Sequence, residues 1–260
     1  MNGPRRRSAG PLVVVGVLLL TWLLATRVLG APAMLLPDPW LTLLALGNGV
    51  RSGELPADAL ATVSAAAAGY AIGAGLAFAL AAAMALSRPV ERLLIAPVMA
   101  FQSIPKVALA PLVYLWIGFG MGSSIALVAL ACIYPVFVNS FTGFRAVDPK
   151  LLDLYRASGA GAWRTFSEVR LPAAAPQVFV GLEVSVVFAL LAAVVMELVA
   201  GERGLGVRIQ AASATLDMAT VFAAVAVLAA LGLAASAALR GPRRRLVFWE
   251  RGAAHVEATA

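Results

Sequence analysis

Six apolar runs, several too long for the interior of a soluble domain of this size, dictate the fold class before any other residue is considered. Leu60 to Leu86, one of the two longest, covers 27 residues. That is roughly 40 Å of helix at 1.5 Å per residue, against the ~30 Å hydrocarbon core of a bilayer. The others run from Leu12 to Leu29, Leu93 to Gly118, Ile125 to Phe141, Ala173 to Val199 and Ala219 to Leu239. Inside lipid every backbone polar group must find its partner within the protein, so such runs are read as helices. Composition agrees. The chain is 62% hydrophobic and 13% charged, where soluble domains are about half apolar and about a quarter charged. The expectation is an all-α, polytopic transmembrane bundle of about six spans with no soluble domain.

The charges orient the bundle. A net charge of +7 would suggest nucleic acid in a soluble chain, but here arginines that anchor cytoplasmic loops explain it. With both termini inside, Arg5, Arg6, Arg7, Arg88, Arg92, Arg145, Lys150, Arg156, Arg164, Arg170, Arg240, Arg243, Arg244, Arg245 and Arg251 lie on the inner side. Only Arg27, Arg51, Arg203 and Arg208 lie outside, a ratio of 15 to 4. The last cation, Lys106, falls within an apolar run. Cys132 is the single cysteine and reads as a small core residue. His255 is the single histidine and sits in the tail, so a histidine-based metal site or triad is not available.

Along the chain, the first run reads as a retained span rather than a cleaved signal peptide, although Ala31-Pro32-Ala33 resembles a cleavage site. Residues 31–58 carry Pro32, Pro37, Pro39 and Pro56 and read as an outer loop with a short interfacial piece at Trp40. In the second run Ala65, Gly69, Gly73, Ala77 and Ala81 recur at every fourth position. Such a stripe allows close helix approach in lipid, and an alanine-rich composition could also produce it. The third run is interrupted by Pro97, Pro105 and Pro111. It reads as a helix at the inner surface, a break near Pro105, then a short span. Gln102, Ser103 and Lys106 cluster at the break. Gly118 to Ser124 reads as a tight outer turn and Gly201 to Gln210 as an outer loop. Arg240 to Trp249 form a basic aromatic tail.

The longest polar interval between two apolar runs is Lys150 to Pro172, KLLDLYRASGAGAWRTFSEVRLP. Leu151, Leu154 and Tyr155 share one face of a short helix. Gly159 and Gly161 break it, Trp163 and Phe166 resume it, and Pro172 stands ahead of the next run as prolines near helix starts do. A short amphipathic helix between two spans suits docking into a partner's groove. The plainer reading is a cytoplasmic loop with positive-inside arginines.

The spacing of Asp153, Gly159 and Val169-Arg170-Leu171-Pro172 resembles the EAA loop of ABC-importer permeases, although Leu154 and Tyr155 stand where the family has two alanines. The segment SIPKVALAPLVYLWIGFG resembles the nitrate/sulfonate/taurine branch of that family, and Glu197 with Gly204-Leu205-Gly206 continues the likeness.

That resemblance implies a type I importer permease: residues 1–59 as tail, first span and outer loop, 60–240 as core with a coupling loop at 145–172, and 241–260 as a basic tail. Asp153, Leu154, Tyr155, Arg156, Ala157, Ser158, Gly159, Ala160, Leu171 and Pro172 would couple to the ATPase. Gln102, Ser103, Pro105, Lys106, Glu183 and Glu197 are pathway or gate candidates, because ionisable groups in a membrane are costly unless functional. Lys106 either draws an anion or snorkels to headgroups. Glu197 either serves the pathway or is interfacial, and Glu183 is expected to face protein. No Walker motif is present, so the chain would hold no cofactor and ATP would be bound by separate ATPase subunits. The other partners implied are an extracytoplasmic binding protein, a second permease copy in a homodimer, and membrane lipid, with no nucleic acid. The expected place is the bacterial inner membrane and the solute a small anion or organic nutrient. The competing classes are a secondary transporter, for which no inverted repeat is evident, and another polytopic membrane protein without an ATPase partner, such as a membrane enzyme, against which the lack of a membrane histidine or a reactive cysteine argues.

Overall fold

The computed structural model describes residues 10–30 and 32–247, and every described element is helical. The tail residues Phe248, Trp249, Arg251 and His255 and the arginines at 5–7 lie outside the described residues, as does Ala31. The helices are α1 (Gly10–Arg27), α2 (Pro39–Arg51), α3 (Glu54–Leu86), α4 (Arg88–Gln102), α5 (Ala110–Ile117), α6 (Met121–Arg145), α7 (Pro149–Ala157), α8 (Ala162–Thr165), α9 (Leu171–Ala200), α10 (Leu205–Ala214) and α11 (Met218–Leu246). A π-turn, Phe166–Arg170, joins α8 to α9, so that Ala162–Ala200 is one continuous rod of 39 residues. Among the described residues four helices are long and apolar enough to cross a membrane: α3, α6, the α8–α9 rod and α11. The segments Arg88–Gln102 and Lys106–Ile117, bent by 88° at the Pro105 break, make a fifth if taken together. Helix α1 is described from Gly10 and has 18 residues.

Helices α3, α6 and α9 form the centre, and small residues decide how closely they meet. The expected stripe on α3 is its contact face: Ala65, Ala77 and Ala81 are buried. A Cβ placed on Gly69 would fall 2.6 Å from the Ile125 carbonyl, and one on Gly73 would fall 2.5 Å from that of Ala129. Gly181 of α9 would meet the Pro135 carbonyl of α6 at 2.9 Å. Towards the α7 end, Phe137, Phe141, Phe144 and Phe166 fill the widening gap. Ring centroids lie 5.5 Å apart for Phe137–Phe141 and 5.0 Å apart for Phe144–Phe166. Helix α11 lies on the outside of the bundle; only 11% of its apolar stretch is buried, against 56% for α6.

Three expectations need correction. Residues 32–58, expected as part of an outer loop, are largely helical, because Asp38 accepts the Trp40 amide at 2.8 Å and Pro39 starts α2 where no amide partner is needed. Pro56 falls in the first turn of α3, where the same exemption holds. Residues 205–214 are also helical. Pro172 does not precede its span but lies inside the rod, and the turn before it widens so that the Leu171 amide reaches Phe166 O, five residues back. Such π adjustments are one way a membrane helix carries proline.

Candidate functional site

Three polar constellations interrupt this apolar bundle. The first is at the end where α6 leaves the core. Asp148 accepts the Lys150 amide at 2.9 Å and Pro149 takes the first helical position, which starts α7. Its end is closed by two reverse hydrogen bonds, Ala160 N to Tyr155 O and Gly159 N to Arg156 O, both 3.0 Å. Gly159 sits at φ +77°, a conformation that costs a side chain strain but not glycine. The spacing therefore reads correctly as helix, break and resumption. Helix α7 buries no residue. Leu151 and Leu154 are exposed and Tyr155 half-buried. Asp153 pairs with Arg156 at 3.1 Å in full solvent, a bond worth little by itself. Ala157 and Ser158 are exposed and Ala160 half-buried. Beyond the break Trp163 is 70% exposed and stacks on Phe166. The foot of the loop is firm: Val169 is buried, and Arg170 donates to the Ala85 carbonyl of α3. Leu171 and Pro172 belong to this rigid foot, not to the exposed helix.

The second constellation is a cavity of about 440 Å³ between the Pro105 break, α6 and α9, lined by Gln102, Lys106, Tyr134, Asn139, Phe188 and Val195 among others. Lys106 Nζ donates to Gln102 O at 3.1 Å and lies 5.5 Å from the centre of the Tyr134 ring. No carboxylate pairs with it among the described residues. Asn139 donates to the Pro135 carbonyl at 2.8 Å. Ser103 and Pro105 shape the break but do not line the cavity. Tyr134 and Asn139 escaped the sequence reading, although two polar residues inside an apolar run are a visible signal.

The third lies at the opposite end, on α9. Glu197 is 3% exposed and accepts the Gly206 amide at 2.7 Å and the Thr62 hydroxyl at 3.1 Å. Thr62 in turn accepts the Leu205 amide at 3.0 Å. Glu197 therefore satisfies the start of α10 from another element, which explains why no local cap was readable there. The loop fits because Gly204 and Gly206 leave the Glu197 side chain room, while Gly201 packs against the Glu197 backbone; a Cβ on any of them would overlap Glu197. Beside it Arg208 bridges Asp58 at 2.5 Å and Glu54 at 3.1 Å, both on α3. Glu183, on the same helix as Glu197, faces protein as expected and pairs with Arg243 of α11 at 3.2 Å. The six pathway candidates thus fall into different places: Gln102 and Lys106 at the cavity, Ser103 and Pro105 at the break, Glu183 and Glu197 in separate interhelical contacts.

Comparison with known proteins points one way. Residues 71–246 match the family described as binding-protein-dependent transport system inner membrane component. The chain is 36% identical over 238 residues to the riboflavin transport system permease protein RibX of Chloroflexus aurantiacus, covering 92% of this chain and 89% of that one. It is 31% identical to the putative aliphatic sulfonates transport permease protein SsuC of Bacillus subtilis, covering 92% and 86%. Among solved structures, an inward-facing form of the MetNI methionine ABC transporter superposes with a TM-score of 0.64 at 17% identity, covering 80% of this chain and 96% of that chain.

Proposed function

Because the chain belongs to the binding-protein-dependent transport system inner membrane component family, and is thus the permease component of an ABC importer of type I fold, we propose that α7 docks into the ATPase and that the Lys106 cavity receives the solute. The observation that carries the docking reading is an amphipathic helix with no buried residue held on a rigid foot. Leu151 and Leu154 supply apolar anchors for a groove. In the proposed arrangement two copies of the chain enclose the pathway about a two-fold axis. An extracytoplasmic binding protein delivers solute at the α10 end, and both termini lie in the cytoplasm of a bacterial cell. ATP stays with the partner subunits.

For the solute, the cavity favours a small organic anion with an apolar body. Lys106 is its one cation, without a paired carboxylate among the described residues, and Phe188, Leu191 and Val195 face the same space. A strongly hydrated inorganic anion would find little there to replace its water. An aliphatic sulfonate fits this description and agrees with the name of one relative. The likeness to a riboflavin permease supports a second reading, a heterocyclic nutrient. Uptake into proteoliposomes that contain the permease, its ATPase and its binding protein separates them. On the first reading the Lys106→Ala variant loses alkanesulfonate uptake by about tenfold or more, the loss of a charge-assisted contact, while the complex still assembles. Full alkanesulfonate uptake by that variant, or transport of riboflavin alone, would overturn the anion reading.

A further inference from the structure

A second hollow lies on the far side of α9, between α3, α9 and α11. It measures about 440 Å³, and its lining includes Ala66, Ala67, Tyr70, Ala189, Ala234 and Ala238. The only polar group of note, the Tyr70 hydroxyl, is spent on the Leu182 carbonyl at 3.2 Å. The alanines leave the hollow open between the longer side chains of Leu190, Leu231 and Leu239. On α11 it extends from Leu231 to Leu239, about 12 Å of helix. An open, apolar hollow of this length takes a single hydrocarbon chain laid along α11.

What lies just beyond the slot names the molecule that carries the chain. Its α11 stripe, Leu231, Ala234, Ala235 and Ala238, continues at helical spacing to Arg245. Arg240, Arg244 and Arg245 are exposed at the same end. None of these three is in an ion pair among the described residues. Glu183 and Arg243 pin α9 to α11 at 3.2 Å just below the slot, so its base is fixed. We propose that this is a binding site for one anionic phospholipid, with an acyl chain in the slot and its phosphate among the α11 arginines. The chemistry is complementary at both ends: hydrocarbon against alanine in the slot, a phosphate against guanidinium groups that bind it in bidentate fashion. The site lies on the outer face of the bundle, apart from the Lys106 cavity.

The test uses the full chain purified in detergent and stripped of lipid, then titrated with phosphatidylglycerol or with phosphatidylcholine of the same acyl chains. Native mass spectrometry counts bound lipid and thermal unfolding reports stabilisation. The expected result is one phosphatidylglycerol per chain with a raised Tm, and no such effect from phosphatidylcholine. Arg244→Gln and Arg245→Gln each weaken binding on the order of fivefold, and as surface changes they leave the fold intact. Ala235→Phe fills the slot and abolishes the bound lipid, while Leu233→Phe, on the 74% exposed face, does not. Equal binding of phosphatidylcholine overturns the proposal, as does phosphatidylglycerol binding that survives both arginine changes. If Ala235→Phe leaves lipid binding unchanged and instead converts dimer to monomer, the slot belongs to a second copy and the proposal fails.

Discussion

Glu197 shows how much one buried carboxylate can organise. It ties α9 to α3 through Thr62 and holds the first turn of α10 through Gly206. Removing it in Glu197→Ala leaves the Gly206 amide buried without a partner and takes from Thr62 its tie to α9. The expected loss is on the order of 2–4 kcal/mol of stability, read as a lower unfolding temperature in detergent. Glu197→Gln keeps an acceptor in place and should lose less than half as much. Gly204→Ala should match the alanine variant, because it meets the carboxylate and also forces a side chain to φ +132°. If Gly204→Ala unfolds at the wild-type temperature, the loop is not held as described. Glu197 and Lys106 were both legible in the sequence as ionisable groups in apolar runs. Their partners were not. Thr62 is 135 residues away from Glu197, and no periodicity links the two.

At the scale of elements, α7 offers the sharpest test, and the structure changes how it must be run. A Cβ on Gly159 meets nothing within 4 Å, yet its φ of +77° strains any ordinary side chain. Loss of function in a Gly159→Leu variant would therefore mix strain with steric conflict against the ATPase. Asparagine tolerates this backbone conformation. Gly159→Asn should keep α7 folded and still reduce substrate-stimulated ATPase activity several-fold if the partner approaches here. Tyr155→Ala should do the same without any strain. Wild-type activity and wild-type ATPase pull-down in both variants would remove α7 from the interface. The helices themselves were unequally legible. Helix α7 carries its own start and stop signals, Asp148-Pro149 and Gly159, so it could be read directly. Helix α2 has an equally local start in Asp38-Pro39, but the four prolines around it weighed towards a loop. Helix α10 could not be read, since its cap comes from α9 and α3.

For the whole molecule, sidedness is the open quantity, and the structure supplies a clean assay. Cys132 is fully buried, so an impermeant maleimide sees only an introduced cysteine. Gly53 and Gly204 are poor sites because both have positive φ, whereas Ser52, Arg203 and Ser158 are exposed. In intact cells Ser52→Cys and Arg203→Cys should label, and Ser158→Cys should label only after the membrane is opened. The opposite pattern would put α7 beyond reach of any cytoplasmic ATPase. The bundle's class and its spans were visible because lipid admits so few backbone solutions; the close approach of α3, α6 and α9 needed coordinates. That approach has a mechanical consequence. With glycine Cα atoms against facing carbonyls, the three helices have no clearance to slide or rotate past one another. They behave as one stiff lever, with the α7 foot at one end and the Glu197 lock at the other. On the proposed docking, a push on α7 tilts the far end of the same body, and the give in the machine lies at the Pro105 break and around the loosely held α1.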